Sequence, residues 1–296
     1  MPAARAGLCA IVGRPNVGKS TLLNQLLGEK IAIVTPKPQT TRNRILGILN
    51  QDEPPAQIVF IDTPGIHAGR GALNRWMVEQ ALAALSDVDV ILYMVDATRP
   101  PERFVIERLQ PVRRPVVLVL NKIDLVADKN LLLPRIEAWT REGNFSEIIP
   151  ISATSPDGLN RIVRAVWARL PEGAPMYPRD MVTDAAERFL AAELIREQVF
   201  LAARDEVPYA SAVTIESWQE RKEANDLVVD ATIHVERESQ KAILVGRGGR
   251  VIKEIGTRAR AEITRLLGLP VHLKLLVRVD PDWSRSGASL KRMGYG

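Results

Sequence analysis

The chain has 296 residues, 46% of them hydrophobic and 25% charged, and a single cysteine. This length suffices for two domains that each bury a core, and one cysteine excludes an internal disulfide. No apolar run reaches the roughly 18 residues that span a bilayer, and the N-terminus lacks the apolar stretch of a signal peptide, so we expect a cytoplasmic protein.

Apolar runs alternate with helical patterns over the first 170 residues. The runs predict buried strands at 8–12, 57–61, 89–95, 115–120 and 147–151. Segments between them with apolar residues three or four apart predict helices at 21–27, 76–85, 104–109, 131–139 and 159–170. RNRILGIL at 42–49 predicts a strand antiparallel to 57–61. This order is typical of an α/β domain with a mostly parallel six-stranded sheet.

The proline-rich stretch PEGAPMYPRD at 171–180 predicts a linker. We therefore predict a first domain over residues 1–172, a linker over 173–182 and a second domain over 183–296. The second domain begins with a helix from Thr183 to Ala203, capped by Thr183 and apolar on one face. The later elements are predicted as strands at 211–218 and 226–235, helices at 239–245 and 250–267, and a strand at 271–279.

The stretch GRPNVGKS follows a predicted strand and opens a predicted helix, as the phosphate-binding pattern G-x-x-x-x-G-K-[ST] requires. Its backbone amides are expected to hold the phosphates, Lys19 to reach the β- and γ-phosphates, and Ser20 to bind Mg²⁺. The predicted phosphate contacts are Gly13, Arg14, Pro15, Asn16, Val17, Gly18, Lys19, Ser20 and Thr21.

NKID at 121–124 selects guanine among the bases. The Asp124 carboxylate can accept two hydrogen bonds from guanine, and adenine offers no such donor pair, so adenine would leave it unpaired. Asn121 is expected to tie the base-binding loop together, and Lys122 to pack on the base. The stretch SAT, formed by Ser152, Ala153 and Thr154, follows the last strand. One of its backbone N–H groups is expected to donate to the guanine oxygen.

Two loops are predicted to sense the γ-phosphate. Asp62 of DTPG should hold Mg²⁺ through water, and Gly65 should donate its N–H to the γ-phosphate. In QTTR, either Thr40 or Thr41 should bind Mg²⁺, with Thr41 favoured. Residues 36–45 and 65–74 are therefore expected to be ordered by GTP and released after hydrolysis.

The residues after DTPG raise a question of mechanism, because Ile66 and His67 stand where other GTPases place a water-orienting glutamine. His67 is one candidate base. The favoured hypothesis is that Asn16 and the Thr35–Thr41 loop bind K⁺, whose charge would offset that of the transition state. We expect slow intrinsic hydrolysis, with a catalytic set of Asn16, Lys19, Thr41 and Gly65.

The motifs GRPNVGKS, QTTR, DTPG, NKID and SAT together resemble those of Era-type GTPases. AERFLAAELIREQVF, DEVPYASAV and VGRGGRVIKEIGTRAR resemble the KH domain of the same family, so the resemblance runs from about residue 7 to residue 295. It implies a bacterial ribosome-assembly GTPase with a type II KH domain. Such a protein binds the 3′ end of 16S ribosomal RNA and acts in maturation of the 30S subunit.

GRGG at 246–249 fits a GxxG loop, where glycines let the backbone approach the phosphates of a single strand. From Arg237 onward the chain has 13 Lys and Arg against 5 Asp and Glu, which suits a polyanion. Relatives often place a lysine where this chain has Gly248, so one phosphate contact is in doubt. The predicted RNA contacts are Gly246, Arg247, Gly248, Gly249, Arg250, Lys253 and Arg260.

Two functions therefore compete. The leading hypothesis is a monomeric, GTP-driven RNA-binding switch with GTP or GDP, Mg²⁺ and K⁺ as cofactors, whose RNA affinity differs between nucleotide states. The alternative is a GTPase whose basic C-terminal region associates peripherally with the inner membrane or with another protein, although the tail RMGYG has no cysteine for prenylation.

Overall fold

The computed structural model describes residues 3–69 and 71–295. They form two compact units whose segments interleave along the chain. The first unit comprises residues 3–32, 41–69 and 77–184. The second comprises Ile33–Thr40, residues 71–76 and residues 185–295. The domain boundaries at 172 and 183 stay a prediction.

The first unit contains a six-stranded sheet. Its strands are β1 (Arg5–Gly13), β2 (Ile45–Gln51), β3 (Ala56–Asp62), β4 (Val90–Asp96), β5 (Val116–Asn121) and β6 (Glu147–Pro150). Their spatial order is β2-β3-β1-β4-β5-β6, with β2 antiparallel to β3 and every other pair parallel. The predicted α/β class with one antiparallel strand is thus confirmed. The central strands are buried on both faces, which explains their continuous apolar runs.

In residues 3–69 and 71–184, each strand except β2 is followed in the chain by an α-helix: α1 (Lys19–Leu27), α2 (Ala72–Ala83), α3 (Arg103–Leu109), α4 (Leu132–Glu142) and α5 (Leu159–Trp167). The parallel strands all end at the same edge of the sheet. The loops that leave this edge carry GRPNVGKS, DTPG, NKID and SAT. In open α/β sheets this edge is where ligands bind.

The second unit is an α+β fold with a three-stranded sheet. Its elements after residue 185 are α6 (Glu187–Ala202), β7 (Ala212–Arg221), β8 (Asp226–Val235), α7 (Glu238–Val245), α8 (Arg250–Leu267), β9 (Val271–Val279) and α9 (Gly287–Arg292). Strand β8 pairs antiparallel with β7 and parallel with β9. The predicted α-β-β-α-α-β order is confirmed. Helix α9 was not predicted.

The start of α6 differs from the prediction. The Thr183 hydroxyl donates to the carbonyl oxygen of Leu46 at 2.6 Å, and the helix begins at Glu187 with Ala186 at its N-cap. The capping role given to Thr183 was therefore wrong, because a bond distant in sequence uses the hydroxyl. None of the helices in residues 3–69 and 71–295 is long and apolar enough to cross a membrane.

Candidate functional site

The loop Gly13–Ser20 connects β1 to α1 and is packed tightly against the strand edge. At Gly18, where φ is +102°, a Cβ atom would lie 2.4 Å from Nδ2 of Asn121, so this position requires glycine. Asn16 is also left-handed, with φ of +67°. Such conformations form a concave surface of backbone N–H groups, to which the N-terminus of α1 adds its dipole. The loop therefore has the geometry of a phosphate site.

Lys19 is buried, with 6% of the residue exposed. Its ammonium group donates to the carbonyl oxygen of Arg14 at 3.0 Å. Burial lowers the pKa of Lys19 to about 8, and the negative charge of Asp62 acts in the opposite direction. A phosphate bound in the loop would favour the charged ammonium.

Three oxygen-bearing side chains meet at the end of β3. Ser20 donates to Oδ2 of Asp62 at 2.6 Å, and the hydroxyls of Ser20 and Thr41 lie 2.7 Å apart. Burial raises the pKa of Asp62 to about 6, although Lys19 opposes this shift. The other carboxylate oxygen, Oδ1, is buried and has no hydrogen-bond partner among the described residues. Carboxylate and hydroxyl oxygens suit a hard divalent cation, so this group fits Mg²⁺.

The two candidate threonines have different surroundings. Thr41 meets Ser20, whereas the Thr40 hydroxyl donates to the carbonyl oxygen of Lys37 at 2.8 Å and lies 2.6 Å from the Thr35 hydroxyl. The geometry therefore favours Thr41 as a metal ligand.

The base side of the site is held by Asn121. Its Nδ2 donates to the carbonyl oxygen of Val17 at 2.7 Å, and its Oδ1 accepts from the backbone N–H of Ala153 at 2.8 Å. One buried side chain thus joins the phosphate loop to the SAT stretch, where the hydroxyls of Ser152 and Thr154 lie 2.9 Å apart. Because it bonds to both loops at once, Asn121 positions one against the other.

Lys122 and Asp124 complete this side. Lys122 is left-handed, with φ of +65°, and its ammonium lies 2.9 Å from Oδ2 of Asp96. Asp124 is exposed in the 3₁₀ turn Ile123–Leu125. Asp96 was not among the site residues predicted from the sequence. The signal was available, because Asp96 follows the apolar run of β4 as Asn121 follows that of β5, and the two residues are register partners.

The DTPG loop packs directly against the phosphate-binding loop Gly13–Ser20. A Cβ atom on Gly65 would lie 2.5 Å from the backbone nitrogen of Pro15, so a side chain would displace one of the loops. The N–H of Ile66 donates to the carbonyl oxygen of Gly13 at 3.0 Å, and the Ile66 side chain is fully buried in the apolar core. His67 has Nδ1 3.0 Å from the carbonyl oxygen of Gly65. Position 66 therefore presents no side chain to a water molecule.

The segment Ile33–Thr40 packs along α6 in the second unit. Ile33 belongs to the apolar core that includes α6. The N–H of Val34 donates to Oε1 of Glu197 at 2.9 Å. Lys37 donates to two carbonyl oxygens at the end of the helix, those of Phe200 and Ala203. A predicted switch segment is thus anchored to the first helix of the C-terminal fold.

Arg196 binds the backbone of Thr40, the last residue of this segment. It is 1% exposed, pairs with Glu193 and donates to the carbonyl oxygen of Thr40 at 2.5 Å. Thr41 follows directly in the chain. The prediction gave α6 one buried apolar face, whereas its middle turns are buried on all sides. Charged residues at these positions gave no sequence signal that they would be covered.

The start of α2 contributes a second predicted switch segment to the second unit. Residues 71–74 are described, whereas Arg70 lies outside the described residues. Trp76 contacts Tyr295 edge to face, with ring centroids 5.6 Å apart. Leu73 packs on the same cluster, which contains Trp283 and Leu290 of the C-terminal tail.

The GxxG loop lies between α7 and α8. Gly246, Gly248 and Gly249 have φ values of +72°, +60° and +76°, and Arg247 is exposed. Beside the loop, α8 and the edge strand β9 form a groove of about 420 Å³. Its lining residues are Ile252, Lys253, Gly256, Thr257, Arg260, Leu273 and Leu275. Lys253 and Arg260 were predicted contacts, whereas the groove's apolar floor was missed because it is formed by residues of two elements.

A phosphate-binding loop and a guanine motif on a mostly parallel sheet, followed by an α+β unit with a GxxG loop, define a P-loop GTPase joined to a KH domain. Residues 8–122 match the family described as 50S ribosome-binding GTPase, and residues 206–284 match the KH domain family.

The chain belongs to the GTPase Era family. It is 52% identical to GTPase Era of Geobacter metallireducens, with 98% of each chain covered. It is 48% identical to GTPase Era of Lacticaseibacillus paracasei, over 98% of this chain and 96% of the relative. The fold matches the crystal structure of a point variant of Aquifex aeolicus Era bound to GDP·AlF₄⁻, with a TM-score of 0.93, 44% identity and 99% of each chain covered. The resemblance noted from the sequence motifs is confirmed.

A second solved Era structure holds MgGDPNP and nucleotides 1506–1542 of 16S ribosomal RNA. The chain matches it with a TM-score of 0.94 and 43% identity, and 99% of each chain is covered.

Proposed function

We propose that the protein is a GTP-driven RNA-binding switch that binds the 3′ end of 16S ribosomal RNA and acts in maturation of the 30S subunit. The observation that carries the proposal is the Ile33–Thr40 segment, which packs on α6 in the unit that holds the GxxG loop. Thr41, the next residue, meets Ser20 in the phosphate site. The Era relative solved with MgGDPNP and nucleotides 1506–1542 of 16S ribosomal RNA supports the choice of ligands.

In this proposal the phosphates of GTP or GDP lie in the Gly13–Thr21 loop, and Lys19 neutralises their charge. Ser20 and Thr41 bind Mg²⁺ directly, and Asp62 holds it through water. Bound there, Mg²⁺ supplies positive charge to the β- and γ-phosphate oxygens. The N–H of Gly65 donates to the γ-phosphate, which GDP lacks.

The guanine base is bound by Asp124, which accepts from its N1–H and its amine. Lys122 packs its aliphatic stem on the base while Asp96 holds its ammonium. The SAT stretch supplies a backbone N–H to the guanine oxygen, and Asn121 keeps that stretch in register with the phosphate loop.

Hydrolysis proceeds slowly without a partner, since the buried Ile66 side chain orients no water. Asn16 and the Thr35–Thr41 loop would hold K⁺, whose positive charge would offset the charge of the transition state. The test compares GTPase rates in KCl and NaCl at equal ionic strength. The wild type should be faster in KCl, and Asn16→Ala should remove the difference. Equal wild-type rates in the two salts would contradict the K⁺ assignment.

RNA binds along the GxxG loop, where Gly246, Arg247, Gly248 and Gly249 approach the sugar-phosphate backbone. The strand then continues into the groove between α8 and β9. Arg250, Lys253 and Arg260 neutralise its phosphates, so affinity should fall as salt is raised.

The test of the switch measures binding of a synthetic RNA equivalent to nucleotides 1506–1542 by the full chain. Three states are compared: nucleotide-free, GDP-bound and bound to a non-hydrolysable GTP analogue with Mg²⁺. Affinities that differ between the states are expected, because only the γ-phosphate state holds Thr41 and Gly65 together at the nucleotide. Equal affinity in all three states would exclude coupling. No binding in any state would exclude the RNA ligand.

We place the protein in the cytoplasm as a monomer. From Arg237 onward the chain has 13 basic and 5 acidic residues, which also suits an anionic membrane surface. Peripheral association with the inner membrane is therefore the second candidate function. Binding to anionic vesicles with no affinity for the 16S fragment would favour the membrane.

A further inference from the structure

Gln57 is a buried amide in the first unit. It is the second residue of β3, the residues from Ile58 to Ile61 that follow it are apolar, and 1% of Gln57 is exposed. Strands that are buried on both faces are typically apolar, because a buried amide costs free energy unless its hydrogen bonds are made. A glutamine at this position therefore needs hydrogen-bond partners inside the fold.

The partners of Gln57 are mainly backbone groups of the predicted linker. Its Oε1 accepts from the N–H of Met176 at 2.6 Å and from the N–H of Tyr177 at 2.9 Å. Its Nε2 donates to the carbonyl oxygen of Tyr177 at 2.8 Å and to Oδ1 of Asn50 at 2.9 Å. A glutamine amide has two donors and two acceptor positions, so the full capacity of this side chain is used.

The chain then follows β2, which is an edge strand of the six-stranded sheet. Residues 176–183, which we call the strap, cover backbone groups that an edge strand would otherwise expose. Further hydrogen bonds hold the strap to β2: Nδ2 of Asn50 to the carbonyl oxygen of Arg179 at 2.9 Å, the N–H of Ile48 to that of Val182 at 2.7 Å, and the Thr183 hydroxyl to that of Leu46 at 2.6 Å. The strap is therefore fastened at both of its ends.

A short segment separates the strap from the second unit. The last strap bond is made by Thr183, and α6 begins at Glu187 with Ala186 at its N-cap. Residues 184–186 are what remains between them. The boundary between the two compact units falls inside this segment, after Asp184.

The length of this segment bears on the packing of Ile33–Thr40 against α6. In the chain, Ile33–Thr40 lies between α1 and β2 of the first unit, so its contact with α6 closes a loop that passes through the strap. The entropic cost of closing a loop grows with the number of free residues in it. A short free segment therefore raises the effective concentration of α6 at Ile33–Thr40.

We propose that Gln57 is a positioning residue for the nucleotide switch. By fixing the strap to β2 and β3, it confines the flexible connection to residues 184–186 and keeps α6 within reach of Ile33–Thr40. The predicted linker then acts as part of the first unit and not as a free tether. The inference rests on the proposed GTP-driven switch, in which docking of Ile33–Thr40 on α6 changes RNA affinity.

Two insertions of the same sequence, Gly-Ser-Gly-Ser, test the hinge in the full chain. Between Ala185 and Ala186 the insertion more than doubles the free segment. The ratio of the RNA affinities in the GTP-analogue and GDP states should then move toward one by up to about 4-fold. The matched control is the same insertion between Gly173 and Ala174, in an exposed stretch before the strap. It should loop out and leave the ratio unchanged.

The two insertions contradict the inference in two ways. Equal losses from both would show that the predicted linker is a free tether. No loss from either would show that the length of the connection does not affect the switch.

Hydrogen exchange followed by mass spectrometry tests Gln57 without RNA. In the wild type the amide hydrogens of Met176 and Tyr177 should exchange slowly. Gln57→Leu should leave GDP affinity unchanged and raise these exchange rates by about 10-fold, because both amides lose their acceptor. Gln110→Leu, at an exposed position after α3, should keep the wild-type rates. Wild-type rates in Gln57→Leu would overturn the inference. Should Gln57→Leu fail to fold, the paired insertions still decide, because they leave β3 intact.

Failure of the switch and failure of the strap give different results. If wild-type RNA affinity is the same in every nucleotide state, the proposed switch is wrong, and this role of Gln57 is wrong with it. If wild-type affinity depends on the nucleotide but the amides of Met176 and Tyr177 exchange as fast as in an unstructured chain, the strap alone is wrong.

Discussion

Arg196 donates a hydrogen bond to the carbonyl oxygen of Thr40, and this bond joins α6 to the residue that precedes Thr41. Arg196 and its partner Glu193 are both buried, and Nη1 of Arg196 has no hydrogen-bond partner among the described residues. Neighbouring Glu193 keeps the arginine charged, raising its pKa against the effect of burial. Burying a charged side chain with one unpaired N–H group costs folding free energy. We therefore expect Arg196 to have a functional role that offsets this cost.

Removing Arg196 alone should strongly destabilise the protein. Arg196→Ala leaves the Glu193 carboxylate buried without its partner, at a cost of about 3–5 kcal/mol in the free energy of unfolding. The measurement is denaturant unfolding of the full chain. The control is Arg258→Ala, whose exposed pair with Glu254 on α8 contributes less than about 1 kcal/mol. Similar losses in the two variants would contradict the buried-pair account.

Replacing both Glu193 and Arg196 should separate their effect on stability from their effect on the coupling between nucleotide state and RNA affinity. In the double variant Glu193→Leu, Arg196→Met the desolvation cost is removed with the attraction, so stability should stay within about 2 kcal/mol of wild type. The bond to Thr40 is lost, and RNA affinity should then become equal with GDP and the GTP analogue. A folded double variant that keeps a nucleotide-dependent affinity would show that coupling uses another route.

Gly65→Ala should impair hydrolysis, because a Cβ would lie 2.5 Å from the Pro15 nitrogen and displace the Gly65 N–H. We expect kcat to fall by about 10²- to 10³-fold, the range for one lost backbone donor. GDP affinity should change less than GTP-analogue affinity, since GDP has no γ-phosphate. Steady-state kinetics and titrations check both points. Gly173→Ala, where a Cβ meets nothing within 4 Å, is the matched control and should resemble wild type.

Asp124→Asn should change base preference. The amide can accept only one of guanine's two donors, so GTP affinity should fall by at least about 10²-fold. Xanthine offers a carbonyl where guanine has its amine, and XTP should therefore bind better than GTP. Asp128→Asn is the control, because this side chain accepts from Asn130 in a separate turn and an amide oxygen can replace it. Unchanged GTP affinity in Asp124→Asn would reject the base assignment.

Ile66→Gln should not create a faster enzyme. The Ile66 side chain is fully buried, so the new amide would be desolvated in an apolar core and destabilise the fold by at least about 2 kcal/mol. The GTPase rate per folded molecule should not rise. His67→Ala should lose less than about 10-fold in kcat, whereas removal of a general base costs about 10²- to 10⁴-fold. A larger loss would make His67 the base.

The pKa of Lys19 predicts a pH dependence of nucleotide binding. In the nucleotide-free protein this pKa is lowered to about 8, so Lys19 loses its proton as the pH rises above that value. Bound phosphate favours the ammonium, and binding at pH 9 should therefore take up a proton. Affinity should fall between pH 8 and pH 9. Calorimetry at pH 9 in two buffers of different ionisation enthalpy measures the uptake, and its absence would contradict the shift.

Local sequence patterns were sufficient to predict the two folds and the positions of the nucleotide motifs. Buried parallel strands leave long apolar runs, and phosphate binding needs glycine and lysine at fixed spacing along one loop, so both signals are local. Asp62, Asn121 and Lys19 could be selected as site residues for the same reason, and the structure brings all three to one sheet edge.

Features that depend on residues far apart in the chain could be read only from the folded protein. The Thr183 hydroxyl bonds to Leu46 and does not cap α6. The charged side chains of α6 are buried against the segment Ile33–Thr40. The linker residues Met176 and Tyr177 bond to the buried side chain of Gln57. Local patterns carry no information on which distant partner a side chain meets, and that partner fixes each of these roles.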